Sequence, residues 1–344
     1  MKSSSWYNSY TMKKIAYLGA GTWGFAIASL LANNGYSVSV WTRRKEFADL
    51  LEETRVHPKL ANARAPDNIR FTSDLAEALD GCDVIVESVT SSGIRPVFSE
   101  VIQFGEIRCP VILTSKGIEQ KSGLLLPEVI SELMGVKESP LIGCLSGPSH
   151  AEEVVCLLPT SVVCSAYDAS VMMKIHELFT TPTFRVYPNS DLNGVCFGGA
   201  MKNIMAIACG ISDGLGCGDN TKAALMTRGL HEIRKLCVVK DCKPETLNGL
   251  SGLGDLCVTC LSTHSRNYRY GRLIAEGFSP EGARQKIGMA VEGVYTCVSA
   301  LQLGRKHGIP IPITEATYAI IYEGMHPREA VQTLLQRAIK EEHL

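Results

Sequence analysis

The 344-residue chain carries 34 Lys+Arg against 35 Asp+Glu, a formal net charge of -1, and 45% hydrophobic residues. That balance excludes a general nucleic-acid or anionic-membrane surface, and the length favours two domains with a sizeable core over one. The expected partners are small molecules, with no nucleic acid and no membrane insertion, because no apolar run in the sequence reaches the length of a span.

Residues 1–12 are polar and aromatic without the apolar core of a signal peptide, and are read as a flexible tail. The 13 cysteines are scattered and odd in number, which fits reduced core thiols better than a disulfide framework and predicts a cytoplasmic location. A first strand, Lys14 to Leu18, runs directly into Gly19-Ala20-Gly21-Thr22-Trp23-Gly24 and then an amphipathic helix from Phe25 to Asn34 that ends at Gly35. In that setting the G-x-G-x-x-G is a dinucleotide grip. Gly19 permits the tight turn, Gly21 lets the backbone approach a pyrophosphate, and Gly24 lets the helix pack on the sheet, with helix N–H groups facing the phosphates. The second strand, Ser37 to Trp41, ends in Thr42-Arg43-Arg44 rather than in an acid. Two cations there suit a 2′-phosphate, so NADP is the preferred cofactor and NAD the second.

Further strands follow at Asp83 to Glu87, Val111 to Thr114, Leu141 to Cys144, Ser161 to Cys164 and Phe184 to Tyr187. Ligands of such sheets lie beyond the strand carboxyl ends, and two of those ends carry chemistry. One is followed by Ser115-Lys116-Gly117, a cation, and another by Ser146-Gly147-Pro148-Ser149, a turn of N–H and hydroxyl donors. Both suit an anion.

Beyond Pro188-Asn189 only helices are read: one through Lys202 to Cys209, others over Asn220 to Val238, Arg266 to Glu276, 293–307 and 326–338. The expected fold class is therefore α/β, an N-terminal doubly wound Rossmann domain over 13–190 followed by an all-helical C-terminal substrate domain over 191–344. Gly198-Gly199, one turn before Lys202-Asn203, implies another group lying close to that helix. Lys202 with Asp255, in Gly252-Leu253-Gly254-Asp255-Leu256, makes a proton-transfer pair in which burial and the carboxylate pull the lysine's acidity in opposite directions. Ser265 reads as an N-cap, and with Arg266 and the free N–H groups of the following helix it offers an anion site. Cys257-Val258-Thr259-Cys260 is read as packed cysteines, and no metal is expected. Ser212 to Gly218 is too glycine-rich for a helix, so Gly210 is expected to end the helix before it.

These pieces occur in the order Gly19 to Gly24, Ser115-Lys116-Gly117-Ile118-Glu119, Leu145 to Ser149, Lys202-Asn203, Asn220 to Leu225, Gly252 to Leu256, Ser265-Arg266-Asn267 and Val291-Glu292-Gly293. So ordered, the chain resembles the bacterial NAD(P)-dependent glycerol-3-phosphate dehydrogenases from about residue 13 almost to its end. The resemblance implies reversible reduction of dihydroxyacetone phosphate to sn-glycerol 3-phosphate, feeding glycerophospholipid synthesis. It implies Lys202 as the catalytic proton donor or acceptor, and a substrate lining of Lys116, Gly147, Ser149, Asp255, Ser265, Arg266 and Asn267 beside it. Toward the cofactor, besides Gly19, Gly21 and Gly24, it implies Thr22, Trp23, Arg43, Arg44, Lys116, Ala151, Arg266, Ala290 and Glu292. The chain departs from the family pattern at His150 and at Thr90-Ser91-Ser92. A related two-domain hydroxyacid or phosphogluconate-type dehydrogenase and a non-catalytic NADP-sensing module stay open as alternatives. The helical half leaves a homodimer open too.

Overall fold

The computed structural model describes residues 14–339, 341 and 342, and the tail expected over 1–12 lies outside them. Among the described residues eight strands form one sheet: β1 (Lys14–Leu18), β2 (Ser37–Trp41), β3 (Ile69–Thr72), β4 (Val84–Glu87), β5 (Val111–Leu113), β6 (Ile142–Ser146), β7 (Thr160–Ala166) and β8 (Phe184–Pro188). Their spatial order is β3-β2-β1-β4-β5-β6-β7-β8. All neighbours are parallel except β7, which runs antiparallel to β6. β3 has no counterpart in the sequence reading. It is four residues long with an exposed Arg70 inside it, and so gives almost no apolar signal.

Chain order reverses on either side of β1, where Leu18 pairs with Trp41 of β2 and with Glu87 of β4. Leu113 of β5 in turn pairs with Glu87, so four strand ends open on one edge of the sheet. Such a switch point is where open α/β sheets bind ligands. Apolar layers cover both faces, one built on Phe25, Leu31 and Phe179, the other on Ile94, Phe98 and Ile130.

After β8 the chain is helical. Leu192–Gly214 is a 23-residue helix at the centre, surrounded by Asp219–Cys237, Asp255–Leu261, Arg266–Ala275, Pro280–Ile287, Glu292–His307, Pro312–Tyr322 and Pro327–Leu335. By length and hydropathy the central helix passes as a membrane span, contrary to the sequence expectation, yet 94% of its apolar window is buried inside the fold. It is the core helix of this half.

Gly210 does not end that helix, and Ser212 to Gly214 are helical rather than loop. The glycines serve close packing instead. A Cβ on Gly210 would stand 2.0 Å from the Tyr268 carbonyl oxygen, and one on Gly271 would stand 2.1 Å from the Ile207 carbonyl oxygen. The core helix and Arg266–Ala275 thus touch backbone to backbone, a contact that offsets the low helix propensity of glycine. Asp255 starts a helix, Asp255–Leu261, directly after the π turn Leu250–Gly254.

Candidate active site

A cleft of about 560 Å³ separates the sheet edge from the helical half. Its floor is the glycine grip. Gly19 has φ +111°, and a Cβ on Gly24 would stand 2.0 Å from the Gly19 carbonyl oxygen, so the turn and the close helix contact both require glycine. A Cβ on Gly21 would meet nothing within 4 Å. That position faces open space at the start of Thr22–Asn33, and no side chain caps the helix there. Uncapped N–H groups beside free space fit a pyrophosphate.

Thr22, Trp23 and Gly24 line the cleft, as do Arg44, Ala151, Ala290 and Glu292. Arg43 is exposed and does not line the wall, although it adjoins Arg44 at the end of β2. Gly19 and Gly147 do not line the cleft.

Two ammonium groups meet one carboxylate at the cleft's inner end. Lys116 Nζ donates to Asp255 Oδ2 at 2.6 Å and to the Gly147 carbonyl at 2.9 Å, with Ser149 Oγ at 3.4 Å. Lys202 Nζ donates to Asp255 Oδ1 and, at 2.8 Å, to Thr259 Oγ1. Asp255 is 0% exposed, yet both its oxygens are paired, which makes a buried carboxylate tolerable. Burial lowers the Lys202 pKa to about 7, reinforced by the Lys116 charge and opposed by Asp255. Desolvation disfavours the ammonium more than one shared carboxylate favours it.

Gly198 and Gly199 explain how Lys202 gets there. Cβ atoms on them would stand 2.7 Å from the Ser251 carbonyl oxygen and 2.7 Å from Ser146 Oγ, so the core helix presses against the end of β6 and against the Lys116 stem. Ser146 Oγ is buried there without a hydrogen-bond partner.

Ser265 caps Arg266–Ala275 by accepting from the Tyr268 N–H at 3.2 Å. Arg266 lines the cleft with Glu292 and Glu152 near it, and burial lowers its pKa. Asn267 is buried, donating to Asn203 Oδ1 at 2.9 Å and accepting from the Gly293 N–H at 2.9 Å. Its amide holds three helices in register at the cleft wall. His150 and His264 also face the cleft, their rings 5.6 Å apart.

Two features escaped the sequence reading. Glu87, which had read as the last residue of an ordinary strand, is 0% exposed and accepts from the Val89 N–H, the Ser115 N–H and Ser115 Oγ at 3.0, 3.2 and 2.9 Å. It ties the turns after β4 and β5 together, and burial raises its pKa to about 7. Glu292 accepts from the Ser91 N–H at 3.2 Å and from Ser91 Oγ, joining the helical half to the turn after β4. Only an acid at a strand end and a serine in a turn hint at either pairing. A more apolar groove of about 430 Å³ lies elsewhere, between Asp219–Cys237 and the last two helices, and has no such charge cluster facing a nucleotide grip.

A glycine grip at a sheet switch point, facing a buried lysine from a helical half, defines the class of two-domain dinucleotide-dependent dehydrogenases. Profiles of the NAD-dependent glycerol-3-phosphate dehydrogenase N-terminus and C-terminus match residues 14–172 and 191–332. The chain belongs to that family. It is 59% identical over 333 residues to "Glycerol-3-phosphate dehydrogenase [NAD(P)+]" of Protochlamydia amoebophila, covering 97% of this chain and 100% of the relative. The protein of the same name from Chlamydia muridarum is 53% identical over 330 residues, covering 96% and 99%. Among solved structures, glycerol-3-phosphate dehydrogenase from Coxiella burnetii superposes with a TM-score of 0.90 at 38% identity, covering 94% of this chain and 99% of that one.

Proposed function

We propose that the chain interconverts dihydroxyacetone phosphate and sn-glycerol 3-phosphate, supplying glycerol 3-phosphate for glycerophospholipid synthesis. The observation that carries this is the Lys202 ammonium, bonded to buried Asp255 and facing the glycine grip across the cleft. A bound nicotinamide nucleotide supplies the hydride to C2 of the ketone, and takes it back in the reverse reaction.

Lys202 then stabilises the negative charge growing on the C2 oxygen and gives it a proton, or, as the free amine, takes that proton from the alcohol. Asp255 and Thr259 hold the amine in place. Lys116, held to Gly147 and Asp255, adds a second positive charge next to Lys202 and beside Ser149. Ser265, Arg266 and Asn267 sit at a helix start that suits the substrate phosphate, which orients the ketone without taking part in the chemistry.

Arg44 at the end of β2 supports a preference for NADP over NAD, with Arg43 beside it contributing charge from outside the wall. All 13 cysteines are free thiols, which supports a cytoplasmic location. For the assembly we propose a homodimer, which its mass in solution tests.

Loss of reduced-nicotinamide absorbance on mixing protein, dihydroxyacetone phosphate and NADPH, repeated with NADH, tests the activity. Consumption with both and faster with NADPH is expected. Oxidation of 6-phosphogluconate or a 3-hydroxy acid with NADP+, in place of glycerol 3-phosphate, would redirect the assignment.

A further inference from the structure

Four cations gather at the cleft. Arg44 comes from the end of β2, Lys59 from the segment after Lys45–Thr54, and Arg266 and Arg269 from one helix of the other half. Desolvation lowers the Lys59 pKa, and the like charges of Arg266, Arg269 and Arg44 lower it further. Its Nζ reaches over to the Gly288 carbonyl at 3.3 Å, two residues before Ala290 on the cleft wall. Arg44 and Arg269 line the same cleft.

The acids here, Glu292 and Glu152, act on Arg266. Among the described residues Arg44, Lys59 and Arg269 have no ion-pair partner within salt-bridge distance. Three cations without a carboxylate partner, from three separate chain segments, repel one another until an anion joins them.

The pyrophosphate already has the uncapped helix start at Gly21. The end of β2 is instead where the 2′-oxygen of the adenosine ribose lies in such folds. We infer that Lys59 and Arg269 complete, with Arg44, a three-cation socket for the 2′-phosphate of NADPH, Arg269 being contributed by the helical half. The inference rests on the dehydrogenase reading and deepens it. Cofactor choice is then set by both halves of the protein, and a 2′-phosphate draws them together where a 2′-hydroxyl does not.

Dissociation constants for NADPH and NADH, and for the fragments 2′,5′-ADP and 5′-AMP, are to be measured by calorimetry on Lys59→Gln, Arg269→Gln and Arg269→Lys. Both sites are exposed, so folding is not at stake. In each Gln variant affinity for NADPH and 2′,5′-ADP should fall about five- to tenfold, as expected for one charge-assisted phosphate contact, with NADH and 5′-AMP changing less than twofold. Arg269→Lys should restore most of the NADPH affinity. Equal losses for NADPH and NADH would mean that the cations serve the pyrophosphate, and unchanged affinities would mean that they serve neither; both overturn the socket while leaving the dehydrogenase standing. Wild-type protein that binds neither nucleotide would remove the dehydrogenase reading and the socket with it.

Discussion

Replacing Lys202 with methionine removes one charge from the cleft and leaves most of the packing volume in place. Asp255 is then still held by Lys116 at 2.6 Å, so no buried carboxylate is stranded. Breaking a buried pair by removing its only partner costs about 3–5 kcal/mol, a penalty this substitution avoids. Burying an ammonium is itself unfavourable at this site, as its lowered pKa records. The melting temperature of Lys202→Met should therefore equal or exceed that of the wild type.

Catalysis should not survive as well. A positioned general acid contributes roughly 10²–10⁴-fold and a preorganised charge at the developing oxyanion about 10²–10³-fold, and here one group does both. Because the two effects act through a single proton, they overlap rather than multiply, and a fall in kcat of about 10³–10⁴ is expected. The direction of the pH dependence follows from the same pKa. With Lys202 lowered from 10.5 to about 7, the ammonium needed for ketone reduction is present below pH 7 and lost above it. Reduction should be level at low pH and fall about tenfold per unit above neutrality, whereas oxidation of the alcohol, which needs the free amine, should rise through the same region and then level off. Values of kcat/KM in both directions between pH 5.5 and 9, which report the groups of the free protein, check this. A methionine variant that keeps more than a tenth of wild-type kcat, or that keeps the wild-type pH limbs, would refute the assignment of the proton to Lys202.

Two other predictions concern what holds the helical half together. Gly271→Ala places a Cβ 2.1 Å from the Ile207 carbonyl oxygen, a rigid backbone atom, and should destabilise the protein by about 3 kcal/mol, read as a lowered urea midpoint. Glu232, buried in Asp219–Cys237, accepts from the Ile313 and Thr314 N–H groups at 2.6 and 3.2 Å and so caps Pro312–Tyr322 from another helix. Burial raises its pKa from 4.5 to about 7. Between those values the native state holds a proton that the unfolded chain has released, so this group's contribution to stability is full at low pH and declines as pH rises toward 7. Glu232→Gln should cost about 1 kcal/mol at pH 5 through a poorer cap, with a smaller gap at pH 8; urea titrations at the two values check it, and a gap that widens with pH would show that the sign is wrong.

The dinucleotide grip was legible in the linear chain because its chemistry is local. Glycine at 19, 21 and 24 between a strand and a helix is dictated by backbone geometry within six residues, and so are the two arginines after β2. The sites at Lys116, Ser149, Ser265 and Arg266 could be suspected for the same reason, each lying at a strand end or a helix start. What adjacent residues could not decide was long-range pairing. Gly210 looks like a helix end until the core helix and Arg266–Ala275 are seen to cross there, because propensity reports the isolated helix and close packing overrides it. Glu87 and Glu292 acquire their partners from turns distant in sequence, and β3 becomes a strand only because β2 offers it an edge. The lowered pKa of Lys202 is likewise a tertiary property: it arises from burial beneath two domains and from sharing Asp255 with Lys116, groups that only folding brings within a few ångströms.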